Sequence, residues 1–305
     1  MTSRILVLGA GATGGFFGGR MAEAGRDVTF LARAERAERL RRDGLVLRSP
    51  RGESTVRPPV LTAGELAEPF DLVLVTVKAY SLAAALDDVA PAIGESTAVV
   101  PILNGLAQLD LLAARYGEER VLPGSVVINA RLDDDGAVVQ GDDLARFTYG
   151  ERSGERTPRV LVLDAAATGC GFDAVLSDDI LTALWQKWVF LATLGAVTCL
   201  GGAPLGRVVA APHGRALAEG VLAEVAAVAA AAGHPADAAQ LDRVRSSFTP
   251  ESQATTSMYR DWRAGRPTEA DHILGDLVRR AHGFGVPVSL LEAAHTVLAV
   301  HEAAR

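Results

Sequence analysis

Gly9, Gly11 and Gly14 form a GxGxxG pattern that directly follows the apolar run Ile5–Leu8 and opens a segment with helical periodicity. In that setting each glycine has a physical task. Gly9 permits a tight turn out of a strand, Gly11 lets backbone approach a diphosphate, and Gly14 lets a helix pack closely on a sheet. Ala10, Ala12 and Thr13 complete the loop and the first helical turn, whose N–H groups and dipole favour a bound phosphate. The pattern predicts a dinucleotide site. The second strand ends in FLARAERAER, without the acidic residue that would take the ribose hydroxyls of NAD. Arg33 stands at that tip, and a guanidinium suits the 2′-phosphate of NADP. The neighbouring Arg36 and Arg39 read as a solvated helix face.

Of the 30 basic residues, only Lys78 and Lys187 are lysine. Arginine serves wherever a surface cation will do, which singles out these two positions. A compact ammonium can release a proton near neutral pH, and a guanidinium cannot. Lys187 lies in the apolar stretch LTALWQKWVFLATLG, where burial beside Trp185, Trp188 and Phe190 should lower its pKa. Lys78 and Asn104 each follow an apolar strand, at the sheet edge where ligands bind in this architecture. Cys170, Cys199 and the six histidines show no metal-ligand spacing, so no metal site and no disulfide framework are expected.

The elements that must carry these residues follow from hydrophobic pattern. Apolar runs alternate with helical segments through the first third, as ILVLGA, DVTFLA, LVLR, DLVLVTVKA and AVVPILN, which predicts a parallel sheet covered on both faces. From Val121 to about Ala174 shorter extended segments follow, with a hairpin turn in LDDDG and a helix in PRVLVLDAAATG. After Ser177 nearly everything reads as helix. The expected fold is therefore α/β, with a Rossmann-type domain over residues 1–177 and an all-α domain over 178–305. The run Leu181–Ala203 is long enough to span a membrane, but Gln186 and Lys187 sit in its first third, so it reads as a buried helix. The Ala-rich helix after Arg215 has the periodicity for helix packing, within its own domain or in a homodimer. A net charge of -7 gives no electrostatic footprint for nucleic acid or an anionic membrane. A small-molecule partner and a cytoplasmic location fit best, since no signal-peptide pattern opens the chain.

Over nearly its whole length the sequence resembles the ketopantoate reductase (2-dehydropantoate 2-reductase) family. The matching pieces are GAGATGG, VTVKAY around Lys78, NG at Asn104, WQKW around Lys187, and SMYRDWRAGRPTEADHILG, in which Ser257, Met258, Asp261, Gly265, Arg266, Thr268, Glu269, Asp271 and Gly275 fall in register. The resemblance implies hydride transfer from NADPH to the ketone carbon of a 2-oxo acid, as in pantothenate biosynthesis. It makes Lys187 the proton donor and sets Glu269 near the cofactor and the reacting oxygen. Ser257 becomes a substrate-carboxylate contact, Lys78 and Asn104 cofactor contacts, with Asn104 also on the substrate, and Ala130 a backbone contact to the cofactor. Thr268 and Glu269 also have a local reading, as the capped start of a helix.

One departure bears on the substrate. The family commonly carries asparagines one and two helical turns after its lysine, and here those positions are Leu191 and Gly195. Losing groups that hydrogen-bond a hydroxyl changes substrate preference. The expectation is a wider and more apolar pocket near Gly195, taking a bulkier or less polar 2-oxo acid. Two rivals remain: an opine-type or imine-reducing dehydrogenase, which would require an amine co-substrate, and a catalytically silent NADP-binding regulator.

Overall fold

The computed structural model describes residues 3–305. The chain divides into two compact units, one running through Leu103 and resuming over Gln108–Ile180, the other made of Asn104–Ala107 and Leu181–Arg305. The first unit holds strands β1 (Arg4–Leu8), β2 (Asp27–Leu31), β3 (Leu45–Ser49), β4 (Gly52–Val56), β5 (Val60–Leu61), β6 (Leu72–Val75), β7 (Ala98–Pro101), β8 (Gly124–Leu132), β9 (Val138–Tyr149) and β10 (Asp173–Leu176). Its helices are α1 (Ala12–Glu23), α2 (Ala34–Asp43), α3 (Leu82–Val89), α4 (Ala107–Tyr116) and α5 (Pro158–Ala167).

Five strands pair in parallel in the order β5-β2-β1-β6-β7. β6 and β7 are buried at every position and β1 and β2 at all but their first residue, as expected of strands covered on both faces. Strand order reverses between β1 and β6, which opens the crevice at their carboxyl ends where such sheets bind ligands.

The LVLR run departs from expectation. β3 buries only alternate residues and lies in a second sheet, paired antiparallel with β4 and parallel with β9. β9 is the spine of that sheet: β8 runs antiparallel along one side of it, while β3 and β10 share the other. At nine and twelve residues, β8 and β9 are longer than any strand of the parallel sheet. The extended segments expected to be short are therefore long, because one solvated face lets polar residues alternate into the ladder.

Helix α1 lies between the two sheets. A Cβ added at Gly18 would come within 2.7 Å of Val7 Cγ2 and 2.8 Å of the Phe30 ring, on the parallel sheet. A Cβ at Gly15 would meet Val138 at 2.7 Å, and one at Gly19 would meet Leu45 at 2.9 Å, both on the second sheet. Each interior helical glycine costs about 1 kcal/mol relative to alanine, so the sequence GGFFGG sacrifices local helix stability for close approach on two faces.

The second unit consists of α6 (Ile180–Gly201), α7 (Leu205–Ala210), α8 (Gly214–Ala231), α9 (Ala238–Arg245), α10 (Ser257–Arg263), α11 (Asp276–Phe284) and α12 (Ser289–Ala303). A π-helical turn, Asp271–Gly275, leads into α11. α6 is apolar enough to cross a membrane by length and composition, yet 61% of its most apolar window is buried inside the protein. It is a core helix. α8 turns its buried residues, including Val221, Leu222, Val225 and Val228, toward a unit in which α7, α11 and α12 pack against it. The Ala-rich periodicity is thus used within the chain.

Gly18→Ala should lower stability by about 1–3 kcal/mol, since overpacking against Val7 and Phe30 exceeds the alanine's gain in helix propensity. A shift of the urea midpoint to lower denaturant checks this. A midpoint equal to or above that of the parent chain would contradict the close-approach account.

Candidate active site

The carboxyl end of β1 turns sharply at Gly9, whose φ of 103° lies where side chains are strained. The Thr76 hydroxyl, just past β6, stands 2.9 Å from the carbonyl oxygens of both Leu8 and Gly9. It ties together the two strands that flank the crevice. A Cβ at Gly14 would run into the Gly9 carbonyl oxygen and this same hydroxyl, so the third glycine is required by the turn and its tie. Gly11 is different: it is exposed and a Cβ there would meet nothing within 4 Å. Its smallness is not used by the protein itself, which is what a cradle for a diphosphate requires.

Arg33 is exposed at the end of β2 and donates from Nη2 to Ser81 Oγ at 3.2 Å, in the turn that follows Lys78. Lys78 is exposed at the start of that turn. The glycine loop, Arg33 and Lys78 therefore all stand at the carboxyl ends of β1, β2 and β6. Ala130 lies in β8 beside the irregularity in its ladder with β9, where Asn129 turns to donate to Asp142 Oδ2 at 3.1 Å. Bulges of this kind often re-aim a strand beside a site. Arg36 and Arg39 correct the sequence reading. Both are half-buried, because their guanidinium groups reach inward to backbone carbonyls instead of out to water.

In the helical unit, Lys187 is half-buried on α6. Burial pushes its ammonium down to about 8, against the opposing pull of the Glu269 carboxylate. Trp185 and Trp188 are buried as expected, with ring centroids 4.9 Å apart, whereas Phe190 turns to the surface because it falls on the outer side of the helix. The Trp188 indole N–H donates to the Ile273 carbonyl at 3.0 Å, and the Ile273 N–H donates to the Glu269 carbonyl at 2.9 Å. Two hydrogen bonds thus connect the turn of α6 that bears Lys187 to the segment that bears Glu269. Glu269 is buried, and the helical turn begins just after it. Thr268 donates its N–H and its hydroxyl to Glu302 Oε1 at 2.7 and 2.8 Å, while its Oγ1 accepts from the Ala270 N–H at 3.4 Å; the π-turn itself carries no side-chain cap. A π-turn placed beside such groups is a common companion of functional sites.

Asn104 belongs to this unit and is half-buried. It precedes Gly105, whose φ of 82° is left-handed and whose Cβ would lie 2.9 Å from the His272 carbonyl oxygen and 3.2 Å from its ring. The Asn-Gly turn therefore rests on His272, a contact invisible in sequence, where His272 reads only as a packing residue. Burial lowers the His272 pKa, with Glu269, Asp276 and Asp271 opposing. Ser257 is half-buried at the start of α10, whose N-cap Thr256 accepts from the Tyr259 N–H at 3.1 Å. Leu191 is half-buried one turn after Lys187. Gly195 does not widen the site as expected. The Met258 methyl occupies the position, 2.6 Å from where a Cβ would stand. The space a side chain would take is filled by a neighbour. Among the described residues no group of His, Cys, Asp and Glu is arranged to hold a metal.

A parallel sheet with a glycine turn at its strand ends, followed by a helical unit carrying a lysine depressed by burial and drawn back by a buried glutamate, accords with an oxidoreductase acting on CH–OH and C=O groups, the class to which the chain's relatives assign it. The chain belongs to the ketopantoate reductase PanE/ApbA family, which matches residues 5–154, with the family's C-terminal domain matching residues 179–302. It is 36% identical to an uncharacterized oxidoreductase, YkpB, of Bacillus subtilis over 98% of this chain and 99% of that one. A 2-dehydropantoate 2-reductase of Mesorhizobium japonicum is 32% identical over 89% of each chain. Among solved structures, the PanE/ApbA family ketopantoate reductase of Ralstonia eutropha superposes with a TM-score of 0.88 at 25% identity, over 98% of both chains. D-mandelate dehydrogenase, solved with NADH and anilino(oxo)acetate, shares the fold at a TM-score of 0.89 and 22% identity over 99% of both chains.

Because nothing in the protein meets a Cβ at Gly11, Gly11→Ala should leave the thermal midpoint within about 1 °C while weakening dinucleotide binding tenfold or more, as roughly 1.4 kcal/mol of lost backbone approach implies. Fluorescence titration with NADPH checks it. Unchanged affinity would remove Gly11 from the cradle.

Proposed function

We propose that the protein reduces a 2-oxo acid to a 2-hydroxy acid with NADPH, and that it favours an acid less polar than ketopantoate. The observation that carries the reading is Lys187, an ammonium depressed to about 8 by burial and facing Glu269. At neutral pH it is still protonated but close to release, as a general acid should be. A bound nicotinamide would supply the hydride. Gly9, Ala10, Gly11, Ala12, Thr13 and Gly14 would hold its diphosphate, Arg33 its 2′-phosphate, and Lys78, Asn104, Ala130 and Glu269 the remainder. Lys187 stabilises the negative charge that grows on the substrate oxygen only in the transition state, and then gives that oxygen a proton from Nζ. Glu269 holds the ammonium charged until that moment. Ser257, through its hydroxyl, and Asn104, through its amide, would orient the substrate.

The preference for a less polar acid rests on Leu191 and on Gly195 filled by Met258. Where the family has hydrogen-bonding side chains, this wall is apolar. An apolar wall rejects a hydroxyl weakly and gains little from it, so ketopantoate loses its advantage over an alkyl or aryl 2-oxo acid of similar volume.

A panel of 2-oxo acids with NADPH, followed at the nicotinamide absorbance, tests activity and preference together. The expected result is turnover without an amine, with kcat/KM for an apolar 2-oxo acid above that for ketopantoate. Tight NADPH binding with no turnover of any acid, or a strict amine requirement, would overturn the reading. Lys187→Ala should abolish turnover and leave NADPH affinity within a few fold. In the parent chain kcat/KM for reduction should hold on the acid side of about pH 8 and fall above it, since the required form of Lys187 is the protonated one.

Arg33→Ala should weaken NADPH at least tenfold while changing NADH less than threefold, because one charge-assisted contact to the 2′-phosphate is worth roughly 1.5–3 kcal/mol. Equal loss of both nucleotides would take the 2′-phosphate away from Arg33.

A further inference from the structure

Arg36 sits three residues past Arg33 in α2, and two of its nitrogens are committed to backbone. Nε donates to the Ala10 carbonyl at 3.0 Å, and Nη1 donates to the Gly136 carbonyl at 2.9 Å. Ala10 lies inside the glycine loop. Gly136 closes the turn between β8 and β9, in which its N–H donates to the Asp133 carbonyl at 2.8 Å. The same turn is gripped again by Arg39, which donates to the Asp134 carbonyl at 3.2 Å, and by Arg48, which pairs with Asp135 at 2.7 Å.

The consequence for the loop comes from peptide geometry. A peptide unit is planar and trans, so the Ala10 carbonyl and the Gly11 N–H point in opposite directions. Pinning the carbonyl on one side fixes the direction of the N–H on the other. Gly11 is also where the cradle is open, with nothing within 4 Å of a Cβ. A guanidinium is a rigid plane, so its two bonds set the spacing between the loop and the turn as well as their orientation. Arg36 has no carboxylate partner among the described residues, its Nη2 is buried without a hydrogen-bond partner, and the charge beside it is another cation, Arg39. Burying a cation in this way is unfavourable for the protein alone. An anion in the loop would offset part of that cost.

We propose that Arg36 is a positioning residue for the dinucleotide: by holding the Ala10 carbonyl against the β8–β9 turn it aims the Gly11 N–H at the diphosphate, which makes that turn a working part of the cofactor site. This extends the proposed function and rests on its glycine loop as the diphosphate site. Because the diphosphate is common to both nucleotides, Arg36 acts on NADPH and NADH alike, in contrast to Arg33.

The test is titration of the chain with NADPH and NADH, for the parent and for Arg36→Gln, Arg36→Lys, Arg36→Ala and Gly136→Ala, with thermal midpoints in parallel. Arg36→Gln should weaken both nucleotides about tenfold, the worth of one charge-assisted hydrogen bond, with their ratio unchanged. Arg36→Lys, able to reach one carbonyl at a time, should fall between, and guanidinium ion should restore part of the loss in Arg36→Ala. Gly136→Ala places a methyl 2.7 Å from Nη1 of both Arg36 and Arg39 at a left-handed φ of 80°. It should also weaken both nucleotides, at least threefold, although it lies outside the glycine loop. Arg36 variants with parental affinity, a loss confined to NADPH, or a stable Gly136→Ala with parental affinity would each overturn the proposal. Failure of the parent chain to bind either nucleotide would instead overturn the diphosphate reading itself.

Discussion

The first unit depends on one steric constraint: α1 must come close to two sheets at the same time. Gly14 and Gly18 clear the parallel sheet and Gly15 and Gly19 clear the second, while the intervening Phe16 and Phe17 remain buried, and Phe17 joins Phe147 and Phe172. A helix with ordinary side chains on both faces would stand off from one of them. If it stood off from the parallel sheet, the Gly9 turn and the Thr76 tie would separate. If it stood off from the second sheet, the β8–β9 turn would retreat from the loop that Arg36 connects to it. The geometry of the cofactor cradle is thus inherited from packing well behind it.

The helical unit solves a different problem, that of keeping an ammonium in apolar surroundings without neutralising it completely. Desolvation alone would drive a buried lysine far down the scale, and a carboxylate in direct contact would hold it near its ordinary value. Glu269 opposes burial without cancelling it, so Lys187 settles near 8. That intermediate value depends on how far apart the two groups are held. The Trp188 indole N–H bonded to the Ile273 carbonyl, with the backbone bond from Ile273 to Glu269, ties the turn that bears Lys187 to the segment that bears Glu269.

Features whose cause lies within a few residues were legible in the sequence. The GxGxxG turn follows from its own strand and helix, and the helical run after Ser177 follows from local periodicity. The lowered pKa of Lys187 follows in part from the tryptophans of its own helix. What was not legible depends on partners far along the chain. Arg36 looks like a surface arginine until Gly136, a hundred residues away, folds against it. His272 acquires a partner only when the Asn104–Gly105 turn comes to rest on it. The second sheet is hidden in the sequence because LVLR is too short for periodicity to tell a strand buried on one face from one buried on both. Gly195 reads as open space for a related reason, since a sequence shows the side chain that is absent and says nothing of the atom that fills its place.

That last substitution also constrains how the protein can change. Met258 is 2% exposed and its methyl rests where a side chain on residue 195 would begin. An alanine at 195 asks the flexible thioether only to swing aside. A residue as large as asparagine asks it to take another rotamer within a closed core, at a cost in overpacking. Positions 195 and 258 therefore share one space. The apolar character at this point of α6 is thus a property of both residues together, and a polar side chain at 195 would find room only with Met258 rearranged.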